Sequence, residues 1–572
     1  MQFVATTIIV VLMVILPFTS SNPCVQLSVG EVCGETVIAF DDLKVDRFLG
    51  VPYAHPSVGA LRFAPPVLME KFPESKISAV RPGSSCLQDR SFTGIHPGFD
   101  TWTVPINETS EDCLYLNIWV PQTTGGVWTP AKYPVMLWIH GGGFVVGSGT
   151  LPEFFQAEAL AAHGRVIVVT INYRLGFLGF GYMGIRSMPG NMGLIDQQVA
   201  LRWVHKHISA FGGDTSRITL FGESAGGSSV SAHLFAPGSR NRFQTAVLQS
   251  GAMIAKWGVL QRAEAIENAK LIAEKLQCPD LSSPTAMFEC FAEHQPAEQL
   301  AINLGSIFRP FAVPIEGDNE FFGGKTILEL LRDAAHSTHR VVVGTTGREC
   351  ATMLPLMFPK TFLGYTNIET KWKLSESKYK QLAFDLLTKS RVPTENIESL
   401  IQIYQNSFQA DLGYTDSLIE LCSDCFFNCR AIELALYLSQ TNANREVYLY
   451  VYNHTNSHRP FPGILGAAHT YDVQLVFGYP LRDQSKWTDA ERELSRTIIE
   501  LWSGFEAQNQ SATRKLKWTK VTPEDVQMLL ISADSLSMIP VRKKLNICKL
   551  FNSTWVSEDV HQKGIKSDKL EL

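Results

Sequence analysis

The sequence predicts an α/β fold, with a mostly parallel central sheet, helices on both faces and large helical insertions. Three observations carry that expectation. Several short runs are apolar throughout, as strands buried on both faces must be. They alternate with segments whose apolar residues recur at helical spacing. The stretch from about 260 to 440 is mostly helical in pattern and reads as insertions over the sheet.

In chain order, Pro134–His140 (PVMLWIH) and Val166–Asn172 (VIVVTIN) read as buried strands bounded by Gly and Arg. Asn191–Phe211 has helical spacing. Arg217–Phe221 (RITLF) reads as a strand and Ala225–Ala236 as a helix. Phe243–Gln249, Arg340–Gly344 and Glu446–Tyr452 are further strands. The sequence contains no internal repeat, low-complexity tract or long linker. Residues 22–555 are therefore expected to form one domain, with insertions over a single sheet accounting for its length.

Composition sets bounds on function. Of 572 residues, 45% are hydrophobic and 18% charged, which excludes disordered and fibrous classes. Lys and Arg number 50 against 55 Asp and Glu, and the resulting −5 calls for neither nucleic acid nor an anionic membrane surface. Eleven cysteines are too few for a disulfide-built scaffold. The odd number leaves at least one thiol free or paired outside the chain.

Residues 1–21 read as a signal peptide. Val4–Phe18 is almost unbroken apolar sequence, and Thr19, Ser20 and Ser21 follow, which places cleavage near Ser21–Asn22. The rival reading is a retained anchor, but about 15 apolar residues are short against the roughly 20 that a span needs. No other stretch is long and apolar enough to cross a bilayer. A secretory route makes Asn107, Asn453, Asn509 and Asn552, each in an N-x-S/T sequon, candidate glycosylation sites. It also lets cysteines oxidise. Residues 556–572 form a polar tail that ends Lys569-Leu570-Glu571-Leu572. This end is close to a KDEL-type retrieval signal but departs from it at the second position. Two readings stand: a ligand of the retrieval receptor that keeps the chain in the endoplasmic reticulum lumen, or an ordinary tail on a secreted protein.

Gly222-Glu223-Ser224-Ala225-Gly226 matches G-x-S-x-G, with a strand leading in and a helix leading out. A nucleophilic serine needs that context, because it must sit on a tight, strained turn. Larger side chains two positions before and after it would collide. The turn also places Ser224 at a helix N-terminus, where the dipole favours developing negative charge. Upstream, the strand PVMLWIH runs directly into Gly141-Gly142-Gly143-Phe144. N–H groups of such a loop, here Gly142 and Gly143, are expected to bind an oxyanion together with the N–H of Ala225. A phosphate-cradling loop is disfavoured, because no Lys-Ser/Thr pair follows the glycines.

Several separated segments resemble the type-B carboxylesterase, cholinesterase-like branch of the α/β-hydrolases. They are Arg47–Ala54 (RFLGVPYA) with Leu61-Arg-Phe63, Glu111–Asn117 (EDCLYLN), Asn172–Gly176 (NYRLG), Gly190–Gln197 (GNMGLIDQ) and Leu220–Gly227 (LFGESAGG). The resemblance covers about residues 25–552. The fold orders its triad Ser…Asp/Glu…His. Glu349 follows the strand RVVVG where similar segments carry the acid, with Glu316 and Asp318 as rivals. His469, in Gly466–Asp472 (GAAHTYD), resembles the family's histidine loop. The resemblance thus implies a Ser224–Glu349–His469 triad, acyl transfer from carboxylic esters, and no cofactor. No metal is expected either: the chain has no H-E-x-x-H, and Cys422-Ser-Asp-Cys425 is a single C-x-x-C.

The same resemblance places Glu223, Trp257, Phe308 and Pro310 in the substrate pocket. Pro310 stands where acetyl-selective relatives carry a second Phe, which implies a wider acyl pocket. Trp102 falls near the choline-stacking tryptophan of cholinesterases with one residue inserted, and the favoured reading for it is a surface-loop aromatic. The segment after Glu349 (CATMLPLMF) lacks the aromatics of a cholinesterase gorge. Implied disulfides are Cys86–Cys113, Cys278–Cys290 and Cys429–Cys548. Cys24 and Cys33 flank a hairpin turn and could pair. Cys350, Cys422 and Cys425 must include the unpaired thiol, with Cys350 a candidate. A broad carboxylesterase acting on small-molecule esters leads. A cholinesterase is the alternative. A catalytically dead adhesion ectodomain like the neuroligins is disfavoured, because all three triad residues are present and no second apolar span follows.

Overall fold

The structure, a computed structural model, describes residues 22–90, 97–122, 132–151, 154–294, 297–301, 313–333, 339–362, 373–406, 413–442, 444–461, 466–507 and 518–551. Its centre is an eleven-stranded sheet. The strands, in chain order, are β1 (Glu35–Phe40), β2 (Leu43–Pro52), β3 (Tyr115–Pro121), β4 (Tyr133–Ile139), β5 (Ile167–Ile171), β6 (Gly213–Glu223), β7 (Thr245–Gln249), β8 (Arg340–Thr346), β9 (Val447–Tyr452), β10 (Gln527–Ile531) and β11 (Leu536–Pro540). Across the sheet they run β11-β10-β9-β8-β7-β6-β4-β5-β3-β2-β1. From β5 to β10 every neighbouring pair is parallel. β1 to β3 and β11 add antiparallel margins.

The middle strands match their apolar runs because they are buried on both faces. β5, IVVTI, is buried at every position. Successive residues of β6 point to opposite faces. Phe221 pairs in register with Trp138 of β4. Both rings meet Phe477, at the end of helix Tyr471–Val476. Gly222, the next residue, faces the other layer and lies against Gly226 in helix Ala225–Phe235. Buried apolar side chains from sheet and helices join in one connected core.

The helical region of the sequence forms two groups of insertions. Arg262–Lys275 and Pro284–Glu293 lie between β7 and β8. Cys350–Met357, Glu376–Lys389, Thr394–Asn406, Tyr414–Ser423 and Cys429–Thr441 lie between β8 and β9. Among the described residues no helix is long and apolar enough to cross a membrane. The signal-peptide residues and the KLEL end lie outside the described residues.

Five disulfides are present. Cys86–Cys113, Cys278–Cys290 and Cys429–Cys548 pair as the resemblance implied, and Cys24–Cys33 closes the hairpin. Cys350 departs from its reading as a candidate free thiol, because it is bonded to Cys422. Packing explains this. Helix Tyr414–Ser423 lies against helix Cys350–Met357, and Ser423 Oγ accepts the Cys350 N–H at 3.0 Å. The free thiol is Cys425, which is buried.

Candidate active site

β6 ends at Glu223, and the chain reverses through Ser224 into helix Ala225–Phe235. Ser224 has φ 57° and ψ −121°, a conformation that costs an L-residue on the order of 1–3 kcal/mol and persists only where surrounding structure imposes it. Here the Ser224 N–H donates to the Gln249 carbonyl of β7 at 2.8 Å. The flanking glycines are required by contact. A Cβ on Gly222 would lie 2.6 Å from the Ile139 carbonyl oxygen, and one on Gly226 would overlap that same oxygen. Ser224 itself is half-buried.

Helix Cys350–Met357 begins right after β8, so Glu349 stands at the end of a central strand. It is fully buried. Its Oε1 accepts the Ser250 hydroxyl at 2.6 Å and the Thr346 N–H at 2.7 Å. Its Oε2 lies 2.5 Å from His469 Nδ1. A carboxylate only accepts, so Nδ1 carries the proton and Nε2 is turned toward the elbow. There Nε2 is 3.1 Å from Glu223 Oε1. A Cβ on Gly141 would sit 2.9 Å from Glu223 Oε2 and 3.0 Å from Ser224 Cβ. Gly141, Glu223, Ser224, Glu349 and His469 thus form one cluster. The rival acids do not reach it. Asp318 accepts from Asn191 Nδ2 at 2.6 Å and from the Phe321 N–H, and Glu316 accepts the Ile327 N–H at 3.4 Å.

Charge in the cluster follows from burial. Burial pushes the Glu223 carboxyl up to about 8, against the pull of His469 and with the help of Asp472 and Glu349. Among the described residues its polar neighbour is His469 Nε2, 3.1 Å from Oε1. For His469, burial acts downward, but the carboxylates of Glu223 and Glu349 outweigh it and raise the imidazole to about 9. Asp472 is raised to about 6, first by burial; its Oδ2 accepts from Gln249 Nε2 at 2.9 Å and from the Tyr450 hydroxyl at 3.0 Å.

The glycine loop meets the elbow from β4. Gly142 and Gly143 have φ of 101° and 61°, in the region that favours glycine. Among the described residues neither donates its N–H to a backbone acceptor. Ala225 is the first residue of its helix, so its N–H has no partner one turn back.

The pocket residues fare unevenly. Trp257 donates Nε1 to the Phe426 carbonyl at 3.1 Å, and its ring centroid lies 5.7 Å from that of Phe427. Phe427 in turn lies 4.9 Å from the His469 ring. Trp102 is not the surface-loop aromatic of the favoured reading. It is 7% exposed and packs on Phe154 at 4.8 Å, a hydrophobic contact that the loop sequence did not reveal. Phe308 and Pro310 lie outside the described residues, as do Asn509 and Asn552. Asn107 and Asn453 are exposed. Sequence reasoning missed Ser250, Gln249, Asp472 and Phe427. The signal for Ser250 was its place just after a central strand; Phe427 gave none, because it comes from a helical insertion. Among the described residues the grouping within metal reach is Cys24, Glu31 and Cys33, whose two sulfurs are bonded to each other.

A strained serine between a central parallel strand and a helix, clustered with a histidine and a buried acid that each follow a later strand, defines an α/β-hydrolase with a serine at its centre. The comparisons give the family. A family model described as "Carboxylesterase family" matches residues 21–547. The mouse protein named "Cholinesterase" is 34% identical over 470 residues, covering 81% of this chain and 75% of that protein. "Acetylcholinesterase 1" of Caenorhabditis elegans is 32% identical over 491 residues, covering 82% and 77%. The homonymous protein of Caenorhabditis briggsae gives the same figures. The chain belongs to the carboxylesterase family and is a carboxylic-ester hydrolase.

Proposed function

We propose that the chain hydrolyses a broad range of carboxylic esters through an acyl-enzyme on Ser224. The observation that carries this reading is the 2.5 Å contact of His469 Nδ1 with Glu349 Oε2, in the cluster that also holds Ser224. His469 Nε2 takes the Ser224 proton as Oγ attacks the ester carbonyl. The oxyanion is held by the N–H groups of Gly142, Gly143 and Ala225. Protonated His469 then delivers its proton to the leaving alcohol, and water repeats the sequence on the acyl-enzyme. Glu349 orients the imidazole and stabilises its charged form.

Breadth is supported by the segment after Glu349. Helix Cys350–Met357 contains no aromatic residue to stack a quaternary ammonium group. The test compares p-nitrophenyl butyrate with a thiocholine ester. Strong preference for the thiocholine ester would favour a cholinesterase instead. An organophosphate adduct on a serine other than Ser224 would overturn the assignment of the nucleophile.

We further propose that the chain enters the secretory pathway through residues 1–21 and is glycosylated at exposed Asn107 and Asn453. Retention is assigned to the last four residues. Deleting them should increase secretion, and unchanged secretion would show that they are an ordinary tail.

A further inference from the structure

We infer that His140 is a positioning residue for the oxyanion site, holding the peptide that carries the Gly142 N–H through a hydrogen bond to the Gly141 carbonyl. This rests on the acyl-transfer reading above. His140 Nδ1 lies 2.8 Å from the Gly141 carbonyl oxygen. A carbonyl only accepts, so Nδ1 carries the proton. In a trans peptide the C=O of one residue and the N–H of the next point in opposite directions from one rigid plane. Holding the Gly141 oxygen therefore aims the Gly142 N–H the other way.

The other two donors are held by the same device. The Gly142 carbonyl, whose peptide carries the Gly143 N–H, accepts from the Val145 and Val146 N–H groups, both at 3.0 Å. The Ser224 carbonyl, whose peptide carries the Ala225 N–H, accepts from the Ser228 N–H at 2.9 Å. Backbone secures those two planes, and the first is secured by a side chain.

That side chain is itself fixed. The His140 ring stacks on Tyr173 with centroids 4.4 Å apart and planes 22° apart. The Tyr173 hydroxyl donates to the His140 carbonyl at 2.8 Å. A Cβ on Gly147 would lie 2.5 Å from Nδ1, so glycine there leaves the ring its space. Among the described residues Nε2 is buried without a hydrogen-bond partner, which leaves the ring one polar contact there, the one to Gly141. Burial holds the imidazole neutral, at about 4, so the contact is constant across the working pH range.

The test uses the full chain with His140→Phe, which keeps a ring against Tyr173 and removes the donor, and His140→Asn, whose amide can still donate. With p-nitrophenyl butyrate, His140→Phe should lower kcat roughly 10- to 100-fold with little change in KM, less than the 10²–10³ lost with a whole donor. Affinity for a trifluoromethyl ketone, which forms an oxyanion on the serine, should fall by a similar factor. His140→Asn should recover most of both. Equal losses in the two variants, or unchanged ketone affinity, would reduce His140 to a packing residue. Should the Phe variant not fold, His140→Leu against His140→Asn makes the same comparison. A wild-type chain without esterase activity would instead sink the acyl-transfer reading.

Discussion

Ser250 donates its hydroxyl to Glu349 Oε1 at 2.6 Å, from a strand end neighbouring that of the acid. The Thr346 N–H meets the same oxygen, so Oε2 is left for His469. A hydrogen bond to a buried charge is worth about 1.5–3 kcal/mol. Ser250→Ala is therefore expected to lower kcat/KM about tenfold by loosening the acid, and to lower the thermal midpoint by a few degrees. Wild-type kinetics in this variant would mean that Thr346 alone suffices.

Proton linkage gives a second expectation. Asp472, Glu223 and His469 are all raised, from 3.8, 4.5 and 6.5 to about 6, 8 and 9. The folded state then keeps protons that the unfolded chain has released, so stability falls as pH rises through each window. Thermal midpoints should decline from pH 6 to pH 9, and Glu223→Gln should flatten that decline. Activity runs the other way, because the base must be unprotonated: kcat/KM should climb with pH. Glu223→Gln removes a carboxylate that raises His469, so the acid limb should move to lower pH. An unmoved limb would separate Glu223 from the base.

The Cys350–Cys422 bridge closes a separation of 72 residues beside the candidate acid. A disulfide typically gives about 2–4 kcal/mol. The double variant Cys350→Ala/Cys422→Ala should lose that amount in urea unfolding, and kcat should drop more than KM changes. Loss of stability with unaltered kcat would show that the bridge does not position Glu349.

Phe427 lies against the imidazole, and Trp257 packs on Phe427. Phe427→Ala should enlarge the acyl side and raise the kcat/KM ratio of a long-chain over an acetyl p-nitrophenyl ester several-fold. An unchanged ratio would place Phe427 outside the pocket.

Five bridges account for ten of eleven cysteines. Without reductant, one thiol, Cys425, should react in denaturant and essentially none in the native protein. Three reactive thiols in denaturant would indicate an unformed bridge.

The sequence made the centre of the sheet legible because its strands are apolar on both faces, as in PVMLWIH and RITLF. The margins were not read: β1, β2, β10 and β11 are only partly buried and lack such runs, and β3, though buried beyond Tyr115, has its apolar run broken by Asn117. Ser224 was legible from local turn chemistry, while Glu349 and His469 needed the family pattern. Cys422 as the partner of Cys350, Phe427 against His469 and Gln249 beneath the elbow were not legible, since each contact joins segments far apart in the chain. The Cys350 reading failed for that reason.

The five bridges also set a schedule for biosynthesis. None interleaves with another: 24–33, 86–113, 278–290 and 350–422 each pair consecutive cysteines, so a chain emerging from its N-terminus can close them one after another without reshuffling. The rule breaks once. After Cys422 the next thiols to emerge are Cys425 and Cys429, and the correct bond skips the first and waits 119 residues for Cys548. Until the final segment emerges, Cys429 stands four positions from a competing thiol. Cys425 is therefore the position where oxidative maturation is exposed to error, and its replacement by Ser or Ala should raise the yield of correctly bridged protein.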